Sequence, residues 1–148
     1  MKYYAPTNLE NALDLLEKLS GEKNVLLAGG TDIVPKLKSN PARSGWYDKY
    51  DASVKDFNMI YLGNLGLSYV TSDDGGALHI GALTTMSDIL ADPIADKIPV
   101  LKEALRHLAG LTIRNVATIG GNTMNASPAA DSIPALIALG ALAVFTGK

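Results

Sequence analysis

Residues 25–33 have the sequence Val-Leu-Leu-Ala-Gly-Gly-Thr-Asp-Ile, a short apolar run that ends at two glycines. Such a run is typical of a strand buried on both faces, as in a parallel sheet. Glycine lets the backbone adopt conformations that other residues avoid and approach a ligand closely. Successive amides in a turn of this kind, at the start of a helix, form a concavity that binds anions. The stretch therefore predicts a buried strand and a turn suited to a diphosphate, the alternative being an ordinary tight turn between strand and helix.

The residues on the N-terminal side of this stretch complete a β-α-β unit. Residues 2–5 predict a short strand that ends before Pro6. Thr7 and Glu10 have the spacing of a capping box, which predicts that Thr7 is the N-cap of a helix. Leucines then recur at helical spacing up to Leu19. The opening is thus expected to be a strand, a helix and the buried strand that carries the glycine turn.

Downstream of the glycine turn, residues 39–55 are polar and contain proline and glycine, so we interpret them as a surface loop and a subdomain boundary. A hairpin is predicted around residues 72–76, where turn-forming residues separate the runs 68–71 and 77–82. The other predicted elements are strands at 59–62 and Ala141–Thr146, and helices from Thr84 or Thr85 to Leu90, from Pro99 to Leu108 and from Ser132 to Leu139. Because the last strand would have no following partner, we expect the chain to be a piece of a longer protein.

A second glycine pair, Gly120 and Gly121, lies in the segment from Ala117 to Asp131. Small residues around the pair leave room for a ligand, while threonine, asparagine and serine side chains supply hydrogen-bonding groups. We interpret the segment as a loop before the last helix. For Asp131 two interpretations stay open: its carboxylate accepts ribose hydroxyls, or it caps the following helix together with Ser132. Two diphosphate-type glycine loops in one small protein are suited to gripping one long ligand from two sides.

Composition limits the class of protein. The 148 residues are 47% hydrophobic and 19% charged with a formal net charge of −2, which is typical of a globular protein that binds neither nucleic acid nor an anionic membrane. Without cysteine there is no disulfide, thiol nucleophile or iron–sulfur ligand. The two histidines, His79 and His107, are far apart in the sequence, so no metal site is expected. The N-terminus lacks the features of a signal peptide, and we expect a cytoplasmic location.

The glycine motifs extend into longer matches that point to a family. The opening YYAPTNLENALDLL, the motif AGGTDI and the segment RNVATIGGNTMNASPAADSIPALIALGA together resemble the flavoprotein (medium) subunit of the molybdenum hydroxylases, among them carbon monoxide dehydrogenase, bacterial xanthine dehydrogenase and nicotinate dehydrogenase. The resemblance covers essentially the whole chain but only the first half of the usual subunit. It implies an α+β fold, α/β-type in its N-terminal part: the two-subdomain FAD-binding fold of the vanillyl-alcohol-oxidase/xanthine-dehydrogenase type, here truncated. The subdomains are expected at 1–55 and 56–148, the second incomplete at its C-terminal end.

The resemblance also implies which residues hold FAD. The first loop would wrap the diphosphate and the edge of the flavin, with Gly29 and Gly30 supplying amides and Thr31 near the reactive side of the ring. The second motif would face the diphosphate and ribityl chain, and Asp131 would bind toward the adenosine. Leu108 aligns with a residue that packs near the flavin, although its place on a predicted helix favours an ordinary core leucine. The full expected set is Leu26, Leu27, Ala28, Gly29, Gly30, Thr31, Asp32, Ile33, Leu108, Thr118, Ile119, Gly120, Gly121, Asn122 and Asp131.

The residue after the first glycine pair bears on the type of flavoprotein. Related flavin oxidases often hold FAD covalently through a histidine at this position, where this chain has Thr31, which implies non-covalent FAD and an electron-transfer subunit. The partners implied are a large molybdopterin subunit and a small 2Fe-2S subunit, with electrons passing through FAD to an acceptor such as NAD. No catalytic acid or base is expected in this chain, since the flavin carries the redox chemistry. The alternatives are a stand-alone non-covalent flavin oxidoreductase of the same fold and a non-catalytic nucleotide-binding remnant.

Overall fold

The computed structural model describes residues 1–38 and 57–147. Contacts divide the chain into one unit of residues 1–65 with Gly147 and a second unit of residues 66–146. The loop expected at 39–55 and the subdomain boundary expected between residues 55 and 56 lie outside the described residues.

The first unit is built on a parallel sheet. In the described residues its elements are β1 (Lys2–Tyr4), α1 (Leu9–Lys18), β2 (Asn24–Leu27), α2 (Ile33–Lys38) and β3 (Asn58–Tyr61). The strand order is β1-β3-β2, and β3 is parallel to both neighbours. The predicted β-α-β opening is confirmed, with β3 inserted between its two strands. Val25 and Ile60 are buried in this sheet, but Leu26 is 48% exposed. The prediction that the strand is buried on both faces is therefore wrong, because β2 is an edge strand in the described sheet.

The N-cap of α1 differs from the prediction. Asn8 occupies the cap, and its side-chain oxygen accepts a hydrogen bond from the amide of Asn11 at 2.8 Å. The prediction that Thr7 is the cap is therefore wrong. Asparagine caps a helix at least as well as threonine. Ala12 in α1 and Leu19 at its C-cap are buried.

The second unit combines a hairpin with short helices. Its elements are β4 (Val70–Ser72), β5 (Leu78–Ile80), α3 (Met86–Ala91), a 3-10 helix (Ile94–Lys97), α4 (Pro99–His107), α5 (Leu111–Arg114), α6 (Ile119–Asn125) and α7 (Ser132–Ala138). The strands β4 and β5 are antiparallel, which confirms the predicted hairpin. Thr85, one of the two predicted caps, is the N-cap of α3 and accepts a hydrogen bond from the amide of Asp88.

Buried apolar side chains from five helices, one of them the 3-10 helix, form the core of the second unit. Met86 and Ile89 of α3 are fully buried against Leu101 and Leu105 of α4, and the cluster extends to Ala135 of α7. This packing explains why such short helices persist, because a helix of this length has little stability of its own.

The segment from Ala117 to Asp131 is not the loop that was predicted. Thr118 is the N-cap of α6, and the side chain of Ile119 is buried, so the glycine pair lies inside the first turns of a helix. Two glycines disfavour a helix by about 1 kcal/mol each relative to alanine. The cap and the burial of Ile119 offset that cost, and neither contribution is evident from the glycine-rich composition.

The strand predicted at Ala141–Thr146 is also absent. These residues have no regular secondary structure, and the side chains of Leu142 and Val144 are each 90% exposed. A β-strand is stabilised by its ladder of hydrogen bonds to a neighbour, and no described strand pairs with this segment. Within the described ranges, no helix has the length and apolar character required to cross a membrane.

Candidate functional site

The first glycine pair forms a tight turn at the carboxyl end of β2. Leu26 and Leu27 complete the strand, and Ile33 begins α2. Gly30 has a φ of +71°, and a Cβ added there would lie 3.0 Å from Cδ1 of Leu27. The positive φ favours glycine strongly, because other residues rarely adopt it, and the close contact leaves little room for a Cβ.

The amides of this turn have no partner in the described part of the chain. Among residues 1–38 and 57–147, no acceptor bonds the backbone N–H groups of Gly29, Gly30 and Thr31. The carbonyl of Gly30 does have a partner, since it accepts from the amide of Val34 at 3.0 Å and so ties the turn to α2. Three successive donors next to a glycine with positive φ are the type of concavity that binds anions.

A charged pair follows the turn directly. Asp32 forms an ion pair with Lys36 one helical turn later, and the Asp32 side chain is 44% exposed. A free carboxylate beside a bound diphosphate would repel it, so the lysine moderates an otherwise unfavourable charge.

The second glycine pair differs from the first in how its amides are used. The N–H of Ile119 donates to the carbonyl of Thr84 at 3.0 Å, and that of Gly120 donates to the carbonyl of Ala82 at 2.9 Å. The N–H of Gly121 donates to the side-chain oxygen of its N-cap at 3.1 Å, and that of Asn122 closes the first helical turn. Any contact between this motif and a ligand therefore depends chiefly on side chains.

Gly120 is explained by packing within the protein. A Cβ at this position would lie 2.6 Å from the carbonyl oxygen of Ala82, which is far too close. Gly120 thus lets α6 approach the turn before α3. Gly121 is exposed, which leaves it available to a ligand.

Asn122 and Asp131 lie at the junction of α6 and α7. The hydroxyl of Ser132, which is fully buried, donates to Oδ1 of Asn122 at 2.5 Å. Asp131 occupies the N-cap position of α7 without making a side-chain capping bond, and it is exposed. The interpretation in which Asp131 caps the helix is therefore not supported, and its carboxylate remains available.

Leu108 lies at the end of α4 and is buried in the core of the second unit. Its carbonyl accepts a hydrogen bond from Nη1 of Arg114 at 2.9 Å. Core packing accounts for this leucine without a ligand.

The expected site residues fall into two groups. Residues 26–33 belong to the first unit, whereas Leu108, Thr118–Asn122 and Asp131 belong to the second. Within the second unit, the Ser132–Asn122 bond brings the glycine motif next to Asp131. Sequence reasoning named Ser132 only as a possible cap, because no spacing rule connects positions 122 and 132. The one signal for its role is a small polar residue at the start of an apolar helix.

A parallel β-α-β unit whose strand ends in a turn of free amides is typical of proteins that bind nucleotide phosphates. Comparison with known proteins identifies the family within this class. The whole chain, residues 1–148, matches the family of FAD-binding domains in molybdopterin dehydrogenases. The chain belongs to that family, which confirms the resemblance found in the sequence, and FAD is the cofactor by which the family is defined.

Individual relatives agree with this assignment. The chain is 36% identical over 137 residues to a xanthine dehydrogenase FAD-binding subunit of Escherichia coli O157:H7, covering 91% of this chain and 42% of the relative. It is 33% identical over 147 residues to the carbon monoxide dehydrogenase medium chain of Afipia carboxidovorans, covering 98% and 46%. A structure of reconstituted CO dehydrogenase from Oligotropha carboxidovorans superimposes with a TM-score of 0.71 at 28% identity, over 89% of this chain and 42% of that one. The expected fold type is confirmed, and the chain spans a little less than half the length of these relatives.

Proposed function

We propose that this chain is the FAD-holding part of an electron-transfer subunit in a molybdenum-containing hydroxylase or dehydrogenase. The observation that carries the proposal is the set of free amides at Gly29, Gly30 and Thr31, in a chain that matches an FAD-binding family over its whole length. When bound, FAD supplies the redox chemistry, and the protein supplies position and environment.

The turn after β2 is suited to the diphosphate. Its amides are neutral donors held in place by the strand on one side and α2 on the other. Donors that are already positioned bind an anion without the cost of ordering a flexible loop. Lys36 compensates the carboxylate of Asp32, so that the local charge does not oppose the ligand.

The second unit has polar side chains that are suited to bind the rest of the FAD molecule. Thr118 and Asn122 provide hydrogen-bonding groups toward the diphosphate and ribityl chain, and the exposed carboxylate of Asp131 is suited to accept from ribose hydroxyls. Gly121 presents no side chain that would obstruct a ligand. We assign Leu108 a packing role in the core of the second unit and no contact with the flavin.

We further propose that FAD is held without a covalent bond and that the chain functions with two partners. Thr31 stands where a histidine would be needed for covalent attachment in related oxidases. A 2Fe-2S subunit and a molybdopterin subunit are the proposed partners. The description of one relative as a medium chain of carbon monoxide dehydrogenase supports such an assembly. NAD is the proposed electron acceptor, and we propose that residues 1–55 and 56–148 form two subdomains.

The proposal is tested by titrating the purified chain with FAD, FMN and NAD in a calorimeter. FAD is expected to bind more tightly than FMN, because two glycine motifs and Asp131 exceed the needs of a mononucleotide. Gly30→Ala should weaken FAD binding about tenfold, since forcing alanine into positive φ costs about 1–2 kcal/mol and distorts the free amides.

Gly76→Ala is the matched control for that variant. Gly76 also has a positive φ, of +83°, but it lies in the β4–β5 turn with open space around it. Its substitution should lower stability by a similar amount and leave FAD affinity unchanged. Tighter binding of FMN than FAD, or equal effects of the two variants on FAD affinity, would contradict the proposal.

A further inference from the structure

A single hydrogen bond joins the second glycine motif to the last helix. Ser132 begins α7, its side chain has no exposed surface, and its hydroxyl donates to Oδ1 of Asn122 at 2.5 Å. Asn122 lies in α6, one residue after the glycine pair, and is partly exposed. A buried hydroxyl is costly without a partner, so this bond holds both side chains in place.

In the structure, this bond engages one end of the Asn122 amide and leaves the other end available. An asparagine amide has one oxygen acceptor and one NH₂ donor on opposite sides, and a free side chain can present either. Here the oxygen is engaged by Ser132. Nδ2 has no acceptor within residues 1–38 and 57–147, and it is not among their buried unpartnered atoms, so solvent reaches it.

This donor matters because four successive backbone amides of the motif are already engaged. The amides of residues 119–122 are all engaged in bonds within the protein. Phosphate oxygens accept hydrogen bonds and do not donate them, so only the NH₂ end of Asn122 suits them. A flipped amide would present its oxygen to the phosphate and repel it.

We infer that Ser132 is a positioning residue that orients Asn122, so that Nδ2 donates to an oxygen of the FAD diphosphate or ribityl chain. The inference rests on the proposed function and adds to it a residue outside both glycine motifs. Ser132 acts through Asn122 and makes no contact with the ligand itself.

The test is a double-mutant cycle on the 148-residue chain, with FAD affinity measured by quenching of flavin fluorescence. Ser132→Ala is expected to weaken FAD binding about tenfold, the usual size of one lost hydrogen bond to a charged group. Asn122→Ala should weaken it at least as much. If Ser132 acts through Asn122, adding Ser132→Ala to Asn122→Ala should cause no further loss.

Two further variants separate positioning from a general structural role. Thr123→Val removes a different hydroxyl of α6, which bonds the carbonyl of Ile119 and not Asn122, and it should leave FAD affinity unchanged. Asn122→Asp keeps an acceptor for Ser132, and therefore the fold, but replaces the donor by an anionic oxygen, so FAD affinity should fall sharply. This variant also tests the inference if Ser132→Ala fails to fold.

The outcomes distinguish this inference from the proposed function. Failure of the unsubstituted chain to bind FAD would contradict the proposed function and the inference together. If FAD binds and Ser132→Ala binds it as tightly, or if Ser132→Ala weakens binding equally with and without Asn122, the inference alone is wrong. Unchanged FAD affinity in Asn122→Asp would overturn it as well.

Discussion

Gly120 and Gly121 are neighbours in one motif, yet they are glycines for different physical reasons. The first has no room for a Cβ because the backbone of Ala82 lies against it, and its amide bonds the carbonyl of Ala82. The second is exposed on α6. A repeated residue in a motif therefore need not have a repeated function.

This difference leads to a prediction at the scale of single residues. Gly120→Ala should lower the free energy of unfolding by about 1–3 kcal/mol, because the added methyl overlaps a backbone that cannot move freely. Gly121→Ala should raise it by up to about 1 kcal/mol, since alanine favours a helix more than glycine does. Urea denaturation followed by circular dichroism measures both. Equal effects of the two substitutions would mean that the contact with Ala82 does not hold the helix in place.

Among the secondary-structure elements, the β4–β5 hairpin contains a carboxylate, Asp73, whose pKa is lowered. The Asp73 side chain forms a hydrogen bond with Nε2 of His79 at 3.1 Å and accepts another from the amide of Ala77 at 2.9 Å. The hydrogen bond with His79, followed by that from Ala77, holds the pKa of Asp73 below its ordinary value of 3.8. Both bonds favour the ionised form, so the ionised carboxylate of Asp73 contributes to the stability of the hairpin.

The expected pH dependence follows from the sign of that shift. Because the folded pKa lies below the unfolded one, the contribution of Asp73 to stability is fully present above pH 3.8 and is lost as the pH falls through the folded pKa. The amide resonances of β4 and β5 should therefore report local opening of the hairpin in that acidic range. Asp73→Asn should remove this dependence, whereas Asp74→Asn, in the same turn, should preserve it. A transition of identical midpoint in Asp73→Asn would show that another group controls the hairpin.

For the molecule as a whole, the notable feature is the apolar surface that the second unit leaves exposed near its end. Leu142 and Val144 are each 90% exposed and Phe145 is 74% exposed. Exposed apolar side chains that are close together mark contact surfaces or sites of association. An apolar segment without a strand partner also has free backbone groups that can pair with another chain.

We therefore expect the 148-residue chain to self-associate as its concentration rises. The double substitution Leu142→Ser with Val144→Ser should shift the equilibrium toward monomer, because it removes apolar surface without adding charge. Ala141→Ser with Ala143→Ser alters the same segment at small side chains and should have little effect. Sedimentation velocity gives the result, and a monomeric unsubstituted chain at all concentrations would rule out association through this segment.

Several elements and part of the site could be predicted because their signals are local. The apolar run at residues 25–28 and the alternating runs around residues 72–76 led to β2 and to the hairpin, within one or two residues. The pair Gly29 and Gly30 follows the predicted strand directly, so a turn with amides suited to an anion was also expected. Family membership was evident for a similar reason, since it depends on the order of residues in the motifs and not on their contacts.

The tertiary structure decided what depends on neighbours far along the chain. Residues 119–125 form a helix because Ile119 is buried in a core made by α3, α4 and α7, while residues 141–146 form no strand because no described strand lies beside them. Ser132 orients Asn122 across ten residues that have no fixed periodicity. By itself, the sequence determined the β-α-β opening, the first glycine turn and the family, since these follow from residues within a few positions of each other. Burial and hydrogen-bond partners arise only when distant segments meet, and they determined which glycines face a ligand, which amides stay free and which side chains hold the site.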